Sequence, residues 1–211
     1  MNNLDKLFKS SNSNFVNFGK GYVKYLSTLL DNLEHDKINE CVKILEEARN
    51  SNNSIFIIGN GGSASTASHV ANDFGLSVLK NSSKNSKKHY KVISLTDNVS
   101  VLSAISNDSS YENIFLDQLK VHFREGDKLI VISASGNSPN LLRAVEWFKE
   151  NNGTIIGWLG FDGGKLSKMV DLPIVIKSPK GEYAPVEDCH LIINHIIVTW
   201  MQLSIINEET D

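Results

Sequence analysis

Four ionisable residues fall on two stretches of helical pattern. His69 and Asp73 stand four apart in TASHVANDFG, about 40° around a helix, so they face the same way. Glu187 and His195 stand eight apart in VEDCHLIINH, about 80° of drift, which keeps them on one side. Two imidazoles and two carboxylates suit two chemistries. They could hold a divalent metal, or they could move protons without one. The plain readings compete: a hydrogen-bonded surface pair for His69 and Asp73, and a satisfied core histidine for His195 among Leu191, Ile192, Ile193, Ile196 and Ile197. His190 and Asn194 lie on nearby faces. The proton-transfer reading requires His195 and Asp73 within about 10 Å of each other.

Two loops could grip an anion. In SIFIIG-NGGSAS, a buried strand pattern runs into Asn60, Gly61, Gly62 and Ser63, and a helical pattern starts at once. Glycines allow close backbone approach, and a helix N-terminus offers free N–H groups. The loop matches neither a Walker loop nor a dinucleotide GxGxxG. In KLIVIS-ASGNSPN, Ser133, Ala134, Ser135 and Ser138 surround Gly136 and Asn137, and Pro139 suits a first helical turn. Capping explains one serine well and three poorly.

The elements that position these residues follow from periodicity. SIFIIG, KVISL, KLIVIS, GTIIGWL and DLPIVI are short β-branched runs without alternation, as in strands buried on both faces. Helical patterns intervene around 63–75, 98–123, 138–151 and 163–169, and a long one covers 185–206. This alternation predicts an α/β sandwich on a five-stranded parallel sheet, with ligands at the strand C-termini near a switch point. Residues 1–52 read as an N-terminal helical hairpin serving oligomerisation, with Phe15, Phe18, Tyr22, Leu26, Leu29 and Leu33 on its first stripe. Residues 53–211 read as the catalytic domain. The lysine-rich stretch 80–91 reads as a solvated loop or as a flap attracting an anionic ligand.

Composition narrows the class. A chain of 211 residues with 41% hydrophobic and 21% charged residues is a globular chain with a sizeable core. Net charge −3 and only three arginines, Arg49, Arg124 and Arg143, argue against a nucleic-acid partner and against Arg-based phosphate grip. Cys41 and Cys189 fit no metal spacing, so a reduced cytoplasmic setting is expected. No apolar run reaches the roughly 18 residues that crossing a bilayer needs, and the start resembles no signal peptide.

GNGGSAS…HVANDFG, SLTDNVSVLSAISND, ISASGNSPN, GFDGGK and VEDCHLIINH, in that order, resemble the phosphoheptose isomerases, a family of SIS-domain (sugar isomerase) proteins. The resemblance covers nearly the whole chain. It implies an αβα sandwich and a homotetramer with sites at subunit interfaces. The implied reaction converts sedoheptulose 7-phosphate to D-glycero-D-manno-heptose 7-phosphate through an enediol, in the bacterial cytoplasm, for lipopolysaccharide or other surface glycans. It implies phosphate on Ser133, Ala134, Ser135 and Ser138, and the sugar on Asn60, Gly61, Gly62, Ser63 and Asp97. His195 matches the catalytic histidine, Asp73 and Glu187 are the candidate bases, and His69, Asp73, Glu187 and His195 would bind a divalent metal, zinc being the one implied. Asp73 replaces the family's usual Glu, Glu187 its usual Gln, and Ser77 a frequent Arg. Three alternatives remain: an isomerase of another ketose phosphate, a non-catalytic adaptor for a replication initiator, and a sugar-phosphate-sensing domain.

Overall fold

The computed structural model describes residues 2–78 and 88–208. The stretch 79–87, which holds most of the expected lysine-rich loop, lies outside the described residues. Five parallel strands form one sheet in the order β2-β1-β3-β4-β5: β1 (Ser54–Gly59), β2 (Lys91–Ser94), β3 (Lys128–Ser133), β4 (Thr154–Gly160) and β5 (Leu172–Ile176). All five expected strands are present.

Successive strand side chains point to opposite faces, so each strand feeds two cores. Ile55, Ile57, Ile130, Ile132, Ile156 and Trp158 pack on one face. Phe56, Ile58, Leu129, Val131, Ile155 and Leu159 pack on the other. The first core is covered by α3 (His35–Ser51), α4 (Gly62–Asn72) and α8 (Tyr183–Glu208). The second is covered by α5 (Val99–Asp108), α6 (Leu116–His122) and α7 (Pro139–Glu150). The expected helix 98–123 is thus two helices, separated by a 3₁₀ turn at Tyr111–Asn113, and the expected segment 163–169 is a short 3₁₀ turn, Leu166–Lys168.

The N-terminal region departs from a simple hairpin. A short helix, α1 (Asn3–Ser10), precedes α2 (Phe15–Asp31). The α3 helix belongs to the sandwich: Ile38, Cys41, Leu45 and Ala48 join the sheet core. The apolar stripe of α3 is buried on the sheet. The α2 helix is fastened to the start of α8, where Tyr22 Oη donates to Asp188 and Tyr25 Oη to Glu182, each at 2.5 Å. Phe15, Val16 and Val23 on α2 are left exposed, as are Trp200 and Leu203 on α8.

Among the described residues, one helix is long and apolar enough to cross a bilayer by length and composition, Tyr183–Asn207 of α8. Polar residues interrupt it, so no continuous apolar run of that length occurs in it, while its mean hydropathy stays at 1.5. In the fold α8 is a core helix, with Val186, Cys189, Ile193 and Ile197 buried against the sheet. A helix apolar around most of its circumference is what such a position demands.

Candidate active site

In the strand order 2-1-3-4-5 the connections from β1 and β3 leave in opposite directions, which opens a crevice at the C-terminal ends of these two strands. Both anion-type loops sit there. Asn60, Gly61, Gly62 and Ser63 follow β1, and Ser133, Ala134, Ser135 and Ser138 follow β3; together they line a cavity of about 260 Å³ with Ile132, Leu141, Tyr183 and Glu187. Gly61 holds φ +54°, a left-handed value that glycine tolerates, and as N-cap it leaves the first N–H groups of α4 without a side-chain partner. Ser138 is the N-cap of α7, yet its side chain makes no capping bond, so its hydroxyl remains available. Ser133 Oγ accepts from Gly136 N at 3.0 Å and keeps its own O–H free to donate.

The GFDGGK segment braces the second loop. Leu166 N donates to Gly136 O at 3.0 Å, and Lys165 N donates to Asn137 Oδ1 at 3.1 Å. A Cβ on Gly136 would collide with the Gly163 carbonyl. The motif is visible in the sequence, and its bracing task is visible only in the fold. Sequence reasoning also missed Tyr183, which enters the cavity wall from the first turn of α8 and packs edge-on against Phe161 at 5.2 Å.

The ionisable groups gather elsewhere along the same helices. Contacts pair Gly62 with Glu187, His69 with His195, and Asp73 with Asn194, so α4 and α8 run side by side in the same direction. His69 Nε2 lies 3.0 Å from His195 Nε2 and 3.1 Å from Asp73 Oδ2; His195 Nε2 lies 3.9 Å from Asp73 Oδ2. The required proximity of His195 and Asp73 is met. Asp73 is buried, and Asn194 Nδ2 donates to its Oδ2 at 2.7 Å. Among the described residues, its Oδ1 has one hydrogen-bond partner, Asn72 Nδ2, at 3.4 Å. The helix changes to a π turn at Asp73–Ser77, closed by Val78 N donating to Asp73 O at 3.0 Å. Such turns recur at functional sites.

Two expected residues stand apart from their groups. Glu187 is not in the His69–Asp73–His195 cluster. Angular drift places it on the same side as His195, but eight residues also rise about 12 Å along the axis. Its carboxylate instead presses on Gly62, in the cavity; the Glu187 Cδ lies 2.6 Å from where a Gly62 Cβ would stand. Burial, and secondarily the charge of Asp188, raises its pKa. Asp97 does not line the cavity either. Its Oδ1 is occupied by Ser68, by Ser94 Oγ at 3.0 Å and by Thr96 Oγ1 at 3.2 Å, and it faces a separate groove beside β2.

The three-group cluster fits a metal. Ligand bonds of about 2.0–2.1 Å in a tetrahedron give ligand–ligand edges near ~3.3 Å, and the three observed edges bracket that value. Across the facing Nε2 atoms, one ring donates an N–H and the other accepts, a matter of tautomer.

Residues 20–160 match the SIS domain family. The chain is 37% identical over 176 residues to a phosphoheptose isomerase of Clostridium acetobutylicum, covering 83% of this chain and 86% of that protein. It is 36% identical over 159 residues to the phosphoheptose isomerase of Aneurinibacillus thermoaerophilus, covering 75% and 77%. The chain belongs to the phosphoheptose isomerase family of SIS-domain proteins. As a member of this family it is an isomerase enzyme. The structure of the Neisseria gonorrhoeae phosphoheptose isomerase superposes with a TM-score of 0.73 at 26% identity, over 85% of this chain and 92% of that one. That from Francisella tularensis, at 24% identity, shares the fold with a TM-score of 0.74, over 96% and 100%.

Proposed function

We propose that the protein interconverts sedoheptulose 7-phosphate and D-glycero-D-manno-heptose 7-phosphate through an enediol, as a cytoplasmic homotetramer supplying heptose to surface glycans. The observation that carries this reading is the pairing of a serine- and glycine-lined cavity with a His–Asp–His cluster on the same two parallel helices. From Ser63 to His69 is about 9 Å of helix rise, so an elongated sugar phosphate suits the site better than a compact one.

The phosphate is held by Ser133, Ser135, Ser138 and the free N–H groups of α4, and its binding energy orients the distant carbons. Asn60, Gly61, Gly62 and Ser63 hold the sugar chain. Asp97 is retained only as a contact to the far hydroxyls, reached past Ser68. Asp73 is the favoured base: Asn194 anchors Oδ2, which leaves Oδ1 to accept the carbon-bound proton. His195 moves the proton at the substrate oxygen. Glu187 is the second candidate base, closer to the phosphate end.

His69, Asp73 and His195 are the residues that would hold a divalent metal such as zinc, and with Nε2 so engaged His195 would no longer carry the proton; Glu187 would need to move to join them. Such an ion supplies Lewis-acid stabilisation of enediolate oxygens. Elemental analysis of the purified protein is expected to find one metal per chain, lost in His69→Ala. Absence of metal from the wild type, with turnover indifferent to chelator, rejects that part.

The test of the reaction is NMR identification of the product formed from sedoheptulose 7-phosphate. Turnover of a different ketose phosphate in its place would move the assignment to a related isomerase, a reading favoured by the carboxylate of Glu187 in the cavity. Absence of turnover with every sugar phosphate would favour an adaptor.

A further inference from the structure

The two cavity loops are joined by a polar network. Asn60 Nδ2 donates to Asn140 Oδ1 at 3.0 Å, and Asn140 Nδ2 donates back to Asn60 Oδ1 at 2.9 Å. Asn140 Oδ1 also accepts from Leu141 N at 3.0 Å, and Tyr111 Oη donates to Asn60 Oδ1 at 2.9 Å. Asn140 is buried in the first turn of α7. Tyr111 is 58% exposed, and its 3₁₀ turn is tied to α7 by Glu112 and Arg143 at 3.2 Å.

These bonds fix which way each carboxamide points. A backbone N–H can only donate, so the Asn140 oxygen faces Leu141 and its NH₂ group faces Asn60. The Asn60 oxygen must then face Asn140, and the Tyr111 hydroxyl takes its second lone pair. Both acceptor positions of Asn60 are filled. What stays uncommitted on this cavity-lining side chain is one N–H of Nδ2.

We propose that Asn140 and Tyr111 are positioning residues that lock the Asn60 carboxamide so that it offers the cavity a donor and withholds its oxygen. A loose carboxamide could turn its oxygen toward the ligand and repel it. The lock matches the cavity to a ligand bristling with oxygens, and so rests on the sugar-phosphate reading above. It also ties the loop after β1 to the loop after β3, which fixes the cavity width.

The test measures binding of the alditol phosphate of the substrate, which carries the same oxygens and cannot isomerise, by calorimetry, beside KM and kcat for the ketose phosphate. Tyr111→Phe removes one bond at an exposed position and keeps the wild-type melting temperature. Loss of one neutral hydrogen bond corresponds to roughly threefold to tenfold weaker binding, falling on KM more than on kcat. Asn140→Ala gives a larger loss of the same kind. In an Asn60→Ala background, Tyr111→Phe has no further effect, because it acts only through Asn60. Unchanged alditol phosphate affinity in Tyr111→Phe, or an equal loss with and without Asn60, overturns the inference. A wild type that binds the alditol phosphate but turns over no sugar phosphate sinks the isomerase reading and leaves the binding comparison to judge the lock. A wild type that does not bind it overturns both.

Discussion

The cavity and the His–Asp–His cluster share two helices but are built by opposite means. The cavity is made mainly of backbone, hydroxyl and carboxamide groups from two loops, each a continuous stretch of sequence at a strand end, with Tyr183 and Glu187 added from α8. The cluster is made of ionisable side chains 126 residues apart in the chain, from His69 to His195, and exists only because α4 and α8 lie together. The cavity is lined by loops and helix starts, and His69 and His195 leave 44% and 53% of their side chains exposed. Binding an anion needs many weak donors held rigidly. Moving a proton needs few groups, with access to the reacting atoms. On the proposed function, about two turns of helix separate these demands.

The sharpest way to break this division is His195→Ala. If the cluster does the chemistry, kcat falls by about 10²–10⁴ while KM for the sugar phosphate changes little. Retained kcat in steady-state assays would show that the cavity does more than bind.

Between the two regions on α8 stands His190. It lies on α8 between Glu187 and His195, buried, with Nε2 3.2 Å from Leu159 O. Burial is the main cause that lowers its pKa to about 4, against a partial opposing effect of the Leu159 hydrogen bond. The folded state therefore favours neutral His190. Its contribution, on the order of 3 kcal/mol, is complete above about pH 6.5 and is lost as pH falls toward 4. Thermal melting across that window should show falling stability in the wild type and a flatter profile in His190→Gln. Equal slopes would remove His190 from this role.

Ser133→Ala sharpens the comparison from the cavity side. Loss of a hydrogen bond to a charged phosphate should raise KM about tenfold or somewhat more and leave metal content unchanged. Coupled loss of metal would mean that the two regions are not independent.

The smallest effect is expected from Glu187→Gln. Removing a carboxylate from an anion cavity should lower KM a few-fold where Glu187 is ionised. The gain should shrink as pH falls, because its raised pKa protonates it first. A large fall in kcat instead would identify Glu187 as the base in place of Asp73.

The sequence by itself determined the five buried strands, the parallel sheet they form and the two loops at strand ends. These are local patterns: β-branched runs, glycines that permit tight turns, and serines before a helical stripe. Eight cavity positions were legible for that reason. Only the tertiary structure decided what distance does. It put Glu187 with the serines and not with His195, because counting angle around a helix ignores rise along it. It left Asp97 among hydroxyls outside the cavity, merged α3 into the sandwich, and brought Asn194 to Asp73 and Asn140 to Asn60. Those contacts depend on how separate helices and loops pack, and no spacing within one segment encodes that.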